Sequence, residues 1–318
     1  MTPVNTSDMI RYFYKHSTDA TLAQHSAHKP GAWTYVETPT AKELEELVVK
    51  HGLSLRFLKD ALDIDEIPRL ETTGRDTYIF TRYAYEKSAN QIETAPVLFV
   101  VNEHSLFTIS AKKLPVLSDV ISKASTQLET TNPVRLMLQL LHEINIQYDQ
   151  FINDYHRQVR VLRDRLGKRD VGTKDFIQFV RLEDDLNDFI SALEPTNAAL
   201  KRLLTERSLP QFAKQRDKVD TVLLNNEQLT AACNANLKTI DSLRRTYALV
   251  ASNNLDRSIN WLSIAAVVIA IPTLIYSLYG MNMPLPFQKE TWLFPVVLII
   301  SLLAGLAVFA YGRRKHLF

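Results

Sequence analysis

The stretch INWLSIAAVVIAIPTLIYSLYGMN, Ile259 to Asn282, carries no charged side chain and ends in Tyr279-Gly280-Met281-Asn282. A second uncharged run, Thr291 to Gly312, follows after a short loop. Each run is about 20 residues, so as a helix each reaches about 30 Å, the thickness of a bilayer's hydrocarbon core. The pattern predicts a transmembrane hairpin over 257–312, with helices at 257–280 and 292–312. A protein that inserts only a hairpin either anchors itself there or builds a pore from several copies.

The flanking charges orient the hairpin. Arg313, Arg314 and Lys315 follow the second run, Arg244, Arg245 and Arg257 precede the first, and the loop holds only Lys289 and Glu290. Positive charge collects on the side of both termini, which predicts that both are cytoplasmic. Trp261, Tyr279, Trp292 and Tyr311 stand near the ends of the runs, where interfacial aromatic residues belong.

Outside the hairpin the chain reads as soluble. Its 318 residues carry a net charge of +2, so bulk electrostatics point to no nucleic acid. Met1 to Tyr14, with Asp8 and Arg11, does not read as a secretory signal. The single cysteine, Cys233, excludes an internal disulfide framework and a cysteine-rich metal site, and fits a reducing compartment.

Residues 1–130 read as a mixed α/β domain. Trp33 to Val36 suits a short strand. Thr40 opens a capping box with Glu43, starting a helix that Gly52 ends. Leu53 to Leu62 reads as a second helix. Thr77 to Tyr85, Val97 to Val101 and Leu106 to Ser110 read as strands, the last two joined by a turn at Asn102 to Ser105. Pro115 to Leu128 reads as a helix with proline in its first turn.

From Pro133 the strand signals stop, and 131–256 reads as a helical stalk. Leu141, Ile144, Tyr148, Phe151, Tyr155, Leu162 and Leu166 recur mostly three or four apart, up to Gly167. A second helix is expected over Lys174 to Thr205, bent or interrupted at Pro195. After Pro210 neither proline nor glycine occurs until Pro272, which predicts one helix from Phe212 through Tyr279. A helix of that length needs partners along it. A basic tail, 313–318, closes the chain.

On the first membrane helix, Asp256, Ser263, Ala270 and Ser277 recur every seven residues, with Ala266 and Thr273 on the intervening half-turns. This stripe of small, weakly polar residues suits either a narrow water-filled pore or close helix packing. Asp256 reads either as a carboxylate ring that attracts cations at the mouth or as a solvated boundary residue. The second helix has no such stripe. It reads as the outer, lipid-facing helix, with Ala304 and Gly305 for packing.

Here the chain resembles the CorA magnesium transporters. Pro272-Thr273-Leu274 followed by Tyr279-Gly280-Met281-Asn282 is similar to that family's motif, and Arg313-Arg314-Lys315-His316 resembles its basic tail. Leu58-Lys59-Asp60-Ala61-Leu62-Asp63 with Pro68-Arg69-Leu70-Glu71, then Tyr78-Ile79-Phe80 and Val97 to Val100, resemble its soluble domain. Leu262-Ser263-Ile264 resembles the opening of its first membrane helix. The resemblance implies a funnel-shaped homopentamer in the inner or plasma membrane, with no other protein partner. It implies hydrated magnesium, and cobalt in the same role, as cargo, and magnesium as a cytoplasmic regulator.

By residue matching, Gly280, Met281 and Asn282 are the implied selectivity filter, with Asn282 touching the ion through its waters. Magnesium gives up water reluctantly, so neutral amide oxygens that accept from its hydration shell permit release where carboxylates would hold it. Asp256, Ile259, Leu262, Ala270, Thr273 and Ser277 are the implied pore lining. Gly280 is expected to let the backbone turn sharply where the helix ends. Asp60 matches one partner of the implied regulatory site, and Asp217 or Asp220 on the long helix stands for the other. Three departures from the family pattern stand out. Asp256 replaces a common Asn, Ala270 replaces a Met of some members, and the loop lacks the acidic M-P-E-L stretch.

Zinc or another divalent metal on the same architecture is the alternative cargo. Met281 is the magnesium-like residue, and His25 and His28 are a histidine pair without an obvious third ligand. No G-x-x-x-x-G-K-[ST], H-E-x-x-H or G-x-S-x-G occurs, so no enzyme is expected. The membrane potential supplies about 2.3 kcal/mol per charge per 100 mV, and a divalent cation gains twice that.

Overall fold

The computed structural model describes residues 10–16, 19, 21–88, 91–114, 117, 120–121, 128–167, 172–206, 209–281 and 292–314. The chain divides into two compact units, Met1–Asp164 with Gly172–Asp241, and Arg165–Val171 with Ser242–Phe318.

The first unit is built on a seven-stranded sheet. Its strands are β1 (Ile10–Tyr14), β2 (Ala23–His25), β3 (Trp33–Glu37), β4 (Arg69–Thr73), β5 (Asp76–Ser88), β6 (Gln91–Val101) and β7 (Leu106–Ser110). They run in the order β2-β1-β3-β7-β6-β5-β4. Only the β3–β7 pair is parallel. Helices α1 (Ala41–His51) and α2 (Leu55–Asp60) cover one face, where Val36, Tyr78, Phe80, Leu98, Val100, Phe107 and Ile109 pack on Leu44, Leu47 and Leu58. The other face meets α4 (Thr173–Thr205), and Thr81 bonds Thr196 at 3.0 Å. With both faces covered, Val97 to Val101 form an unbroken buried apolar run rather than an alternating one.

The expected capping box is present: Thr40 Oγ1 accepts from Glu43 N, and Thr40 N donates to the Glu43 carboxylate. Gly52 takes the left-handed conformation that ends α1, φ 71°. Asn102 Oδ1 accepts from His104 N and Ser105 N, closing the β6–β7 turn. The helix expected over 53–62 is shorter, Leu55–Asp60. Strands β5 and β6 extend beyond their expected ends because they pair with each other over most of their length. Of the helix expected over 115–128, Leu117, Val120 and Ile121 are helical, and most of the rest lies outside the described residues.

Helices α3 (Pro133–Gly167) and α4 pack with the first part of α6 (Arg216–Tyr279). Phe189 of α4 sits among Tyr148, Phe151 and Tyr155 of α3, at ring-centroid distances of 5.2, 6.3 and 5.8 Å. Polar side chains set the register. Asn145 donates to Val222 O, Asn226 donates to Leu193 O and Asn197 Oδ1, and His156 Nδ1 lies 3.1 Å from Asn236 Oδ1. Pro195 does not interrupt α4, which is assigned as one helix from Thr173 to Thr205. The long helix starts at Arg216 rather than Phe212, because a separate turn, α5 (Pro210–Ala213), uses Pro210 at its start.

In the second unit α6 continues from Ser242 to Tyr279, and α7 spans Leu293–Arg314. The C-terminal part of α6 and α7 are long and apolar enough to cross a membrane. The architecture is an α/β soluble part, a long helix and a C-terminal apolar helix.

Candidate functional site: the outward face of the first membrane helix

Helix α6 shows two faces in its membrane segment. Ile264, Ala265, Val268, Ile271, Pro272 and Ile275 are half-buried, while most of their neighbours are exposed. At 3.6 residues per turn these six fall within about 120° of arc. Asp256, Ile259, Leu262, Ala270, Thr273 and Ser277 are all exposed in the single chain. They fall within another arc of about 120°, centred about 180° from the first. The stripe singled out in the sequence thus lies on one face, turned away from the face that α7 covers.

Helix α7 presents a matching side. Among its described residues, Val297, Ser301, Ala304, Gly305, Val308 and Gly312 are buried or half-buried, spaced three or four apart except for the adjacent Ala304 and Gly305. Small residues at Ser301, Ala304 and Gly305 allow close approach of the two backbones. A Cβ at Gly305 would lie 3.7 Å from both Val268 Cγ1 and Val268 O. That carbonyl lacks its usual helical donor, since Pro272 has no N–H to offer it. One residue on, the Thr273 hydroxyl donates to Ile269 O at 2.8 Å. Between the helices the Tyr276 and Ser301 hydroxyls lie 2.8 Å apart. Sequence reading missed this pair. The usable signal was a hydroxyl-bearing residue in each apolar run, since such groups seek partners inside a bilayer.

The end of α6 keeps helical hydrogen bonding. Gly280 N donates to Tyr276 O at 3.0 Å, and Met281 N to Leu278 O at 3.4 Å. Gly280 is not among the glycines with positive φ, and the sharp turn expected where the helix ends would run into residues outside the described ones. A side chain there would instead meet Tyr276 O at 3.4 Å. Asn282 and the loop to residue 291 lie outside the described residues, as does the tail from 315.

In the soluble unit, Asp60 Oδ2 pairs with Arg69 Nη2 at 2.7 Å. Arg69 also pairs with Glu66 and, at 3.4 Å, with Glu71, and stacks over the Phe80 ring. Asp217 lies in the first turn of α6, and Asp220 lies 3.9 Å from Arg216 Nε. Among the described residues, no group of three or more His, Cys, Asp or Glu side chains is placed to hold a metal ion. Asp60, Asp217 and Asp220 are therefore not gathered into one such cluster within a single chain.

The chain as a whole compares with a family of membrane transporters rather than enzymes. Residues 29–314 match the family described as CorA-like Mg2+ transporter protein. The chain belongs to that family. It is similar to a protein of Pectobacterium atrosepticum named Magnesium transport protein CorA, 23% identical over 298 residues, covering 89% of this chain and 91% of that one. A protein of the same name from Escherichia coli is 24% identical over 295 residues, with the same coverage. In three dimensions the chain matches the complete structure of the CorA magnesium transporter from Methanocaldococcus jannaschii, with a TM-score of 0.82 at 19% identity. That match covers 98% of this chain and 99% of the other.

Proposed function

We propose that this protein carries hydrated magnesium, and cobalt by the same route, into the cytoplasm through a pore formed by several copies of itself. The observation that carries this reading is the opposition of the two faces of α6: one is taken by α7, and the other, with Asp256, Ala270, Thr273 and Ser277, is left without a partner in the single chain. Around a symmetry axis such faces meet and line a channel. Membership in the transporter family supports magnesium as cargo. Five copies in a funnel, with both termini cytoplasmic in the cell membrane, complete the arrangement. Residues 1–130 then form the cytoplasmic domain, 131–256 the stalk, 257–312 the hairpin and 313–318 the basic tail.

In this reading Asn282 forms the outer ring of amide oxygens that accept from the waters of the ion, beside Gly280 and Met281. Ile259 and Leu262 form apolar rings that gate by dewetting. Cytoplasmic magnesium closes the pore by competing with Arg69 for Asp60, with Asp217 or Asp220 of a neighbouring copy as the second contact.

The test is ion entry into liposomes that contain the purified protein, followed with magnesium- and zinc-sensitive dyes. Wild type should admit magnesium, and Asn282→Ala should lose most of that entry. Equal leak from both proteins sinks the filter assignment. Entry of zinc without magnesium makes zinc the cargo. Asp60→Ala should raise flux at high internal magnesium, and unchanged flux would remove Asp60 from regulation.

A further inference from the structure

A pore lined by one face of α6 works only if that helix is held at one rotation. A turn of one residue moves each side chain by about 100° and would carry most of the lining off the side that faces away from α7. Apolar contact fixes rotation poorly in a bilayer, because lipid tails are as apolar as Leu or Val. A directional contact between the helices would hold it.

Such a contact lies one turn before the end of the helix. The Ser301 hydroxyl donates to Leu298 O at 2.9 Å. Its single hydrogen is then used, so in the 2.8 Å contact the Tyr276 hydroxyl is the donor and Ser301 Oγ the acceptor. Ser301 is 1% exposed, enclosed between the helices. The carbonyl of Tyr276 accepts from Gly280 N. One residue therefore grips α7 with its side chain and the start of the Gly-Met-Asn segment with its backbone. Gly305, beside Val268 two turns lower, gives the pair a second point of close approach.

We infer that Tyr276 is a positioning residue, whose hydrogen bond to Ser301 sets the rotation and height of the pore helix where it ends in Gly280 and Met281. This rests on the transport reading above for its consequence in flux, but the geometry it asserts is testable without transport. Two measurements decide it. The first is magnesium entry into liposomes for Tyr276→Phe, Ser301→Ala and the double variant. Each single change should lower entry about threefold, the double should fall no further, and the ratio of magnesium to zinc entry should drop. The second is the labelling rate of a Ser277→Cys protein by a water-soluble maleimide, with and without Tyr276→Phe. The native Cys233 is fully buried and its thiol is pushed up to about 12 by that burial, so it gives little background. Labelling should change about threefold or more when the hydroxyl is removed.

Unchanged labelling overturns the inference whatever the flux does. So does unchanged entry, or two single effects that multiply, in a protein that conducts. If wild type admits no magnesium, the transport reading alone fails, and the labelling result still decides whether Tyr276 holds the helix.

Discussion

The stalk helices and the membrane pair solve the same packing problem with different means. In the soluble unit α3, α4 and α6 bury Tyr148, Phe189, Leu186 and Val219 almost completely, and lock their register through Asn145, Asn197 and Asn226. In the membrane unit most large side chains of α6 and α7 remain exposed, and the hydroxyl contact joins Tyr276 to Ser301. Water drives the first set of contacts, because every apolar side chain buried there leaves it. Lipid offers no such drive, so shape and hydrogen bonding must hold the second set. One copy of the chain completes the soluble core. It does not complete the outward face of α6.

The strongest way to break this comparison is a cavity. Phe189→Ala should cost about 3–5 kcal/mol, seen as a large loss in thermal midpoint of the purified full-length protein. The equivalent truncation on the outward membrane face, Leu262→Ala, should change the midpoint little at protein concentrations where copies separate. A comparable loss at both positions would show that the faces are equally buried and would end the contrast.

Next in size is the polar register. Asn226→Ala leaves Leu193 O and Asn197 Oδ1 without a donor in a buried setting, and should cost about 1–3 kcal/mol. A neutral outcome in the same melting assay would mean that water replaces the amide.

Acid should act on the soluble unit. His51 lies 4.5 Å from His28 by ring centroid and packs on Phe107. Burial, then the neighbouring His28 and Lys50, lower its pKa from 6.5 to about 4, and Glu46 opposes them. The folded protein then holds the neutral ring while the unfolded chain binds a proton below pH 6.5. The contribution is therefore complete above about pH 6.5 and is lost as pH falls toward 4. His51→Gln should flatten the fall in melting midpoint across that window, and an unchanged slope would assign it to other groups.

The smallest effect is at the surface. Thr40→Ala removes the capping bond to Glu43 N and should cost about 1 kcal/mol or less, since the bond is exposed and long at 3.3 Å.

Local signals carried well wherever a segment answers to its own residues. The Thr40–Glu43 box, the Gly52 cap, the turn at Asn102 and the two membrane runs were all legible, because each depends on spacing and backbone preference over a few positions. Strands β1, β2 and β4 were not legible. Ala23–His25 and Arg69–Thr73 are short or polar and become strands only by pairing with neighbours already in the sheet. Pro195 misled for the opposite reason. Its cost is local, but the packing of Phe189, Leu193 and Leu200 on both sides of it keeps α4 whole.

The sequence by itself determined that two segments suit a bilayer, that small and weakly polar residues share one side of the first, and that the chain resembles a magnesium transporter family. The first two follow from composition and helical period, which any isolated segment expresses, and the resemblance rests on motifs such as Tyr279-Gly280-Met281-Asn282. Only the tertiary structure decided which face of α6 turns toward α7, that Tyr276 meets Ser301 there, and that Asp60 is held by Arg69. Those facts depend on distances between residues on different elements, and a helical period fixes which residues share a face without saying what that face will meet.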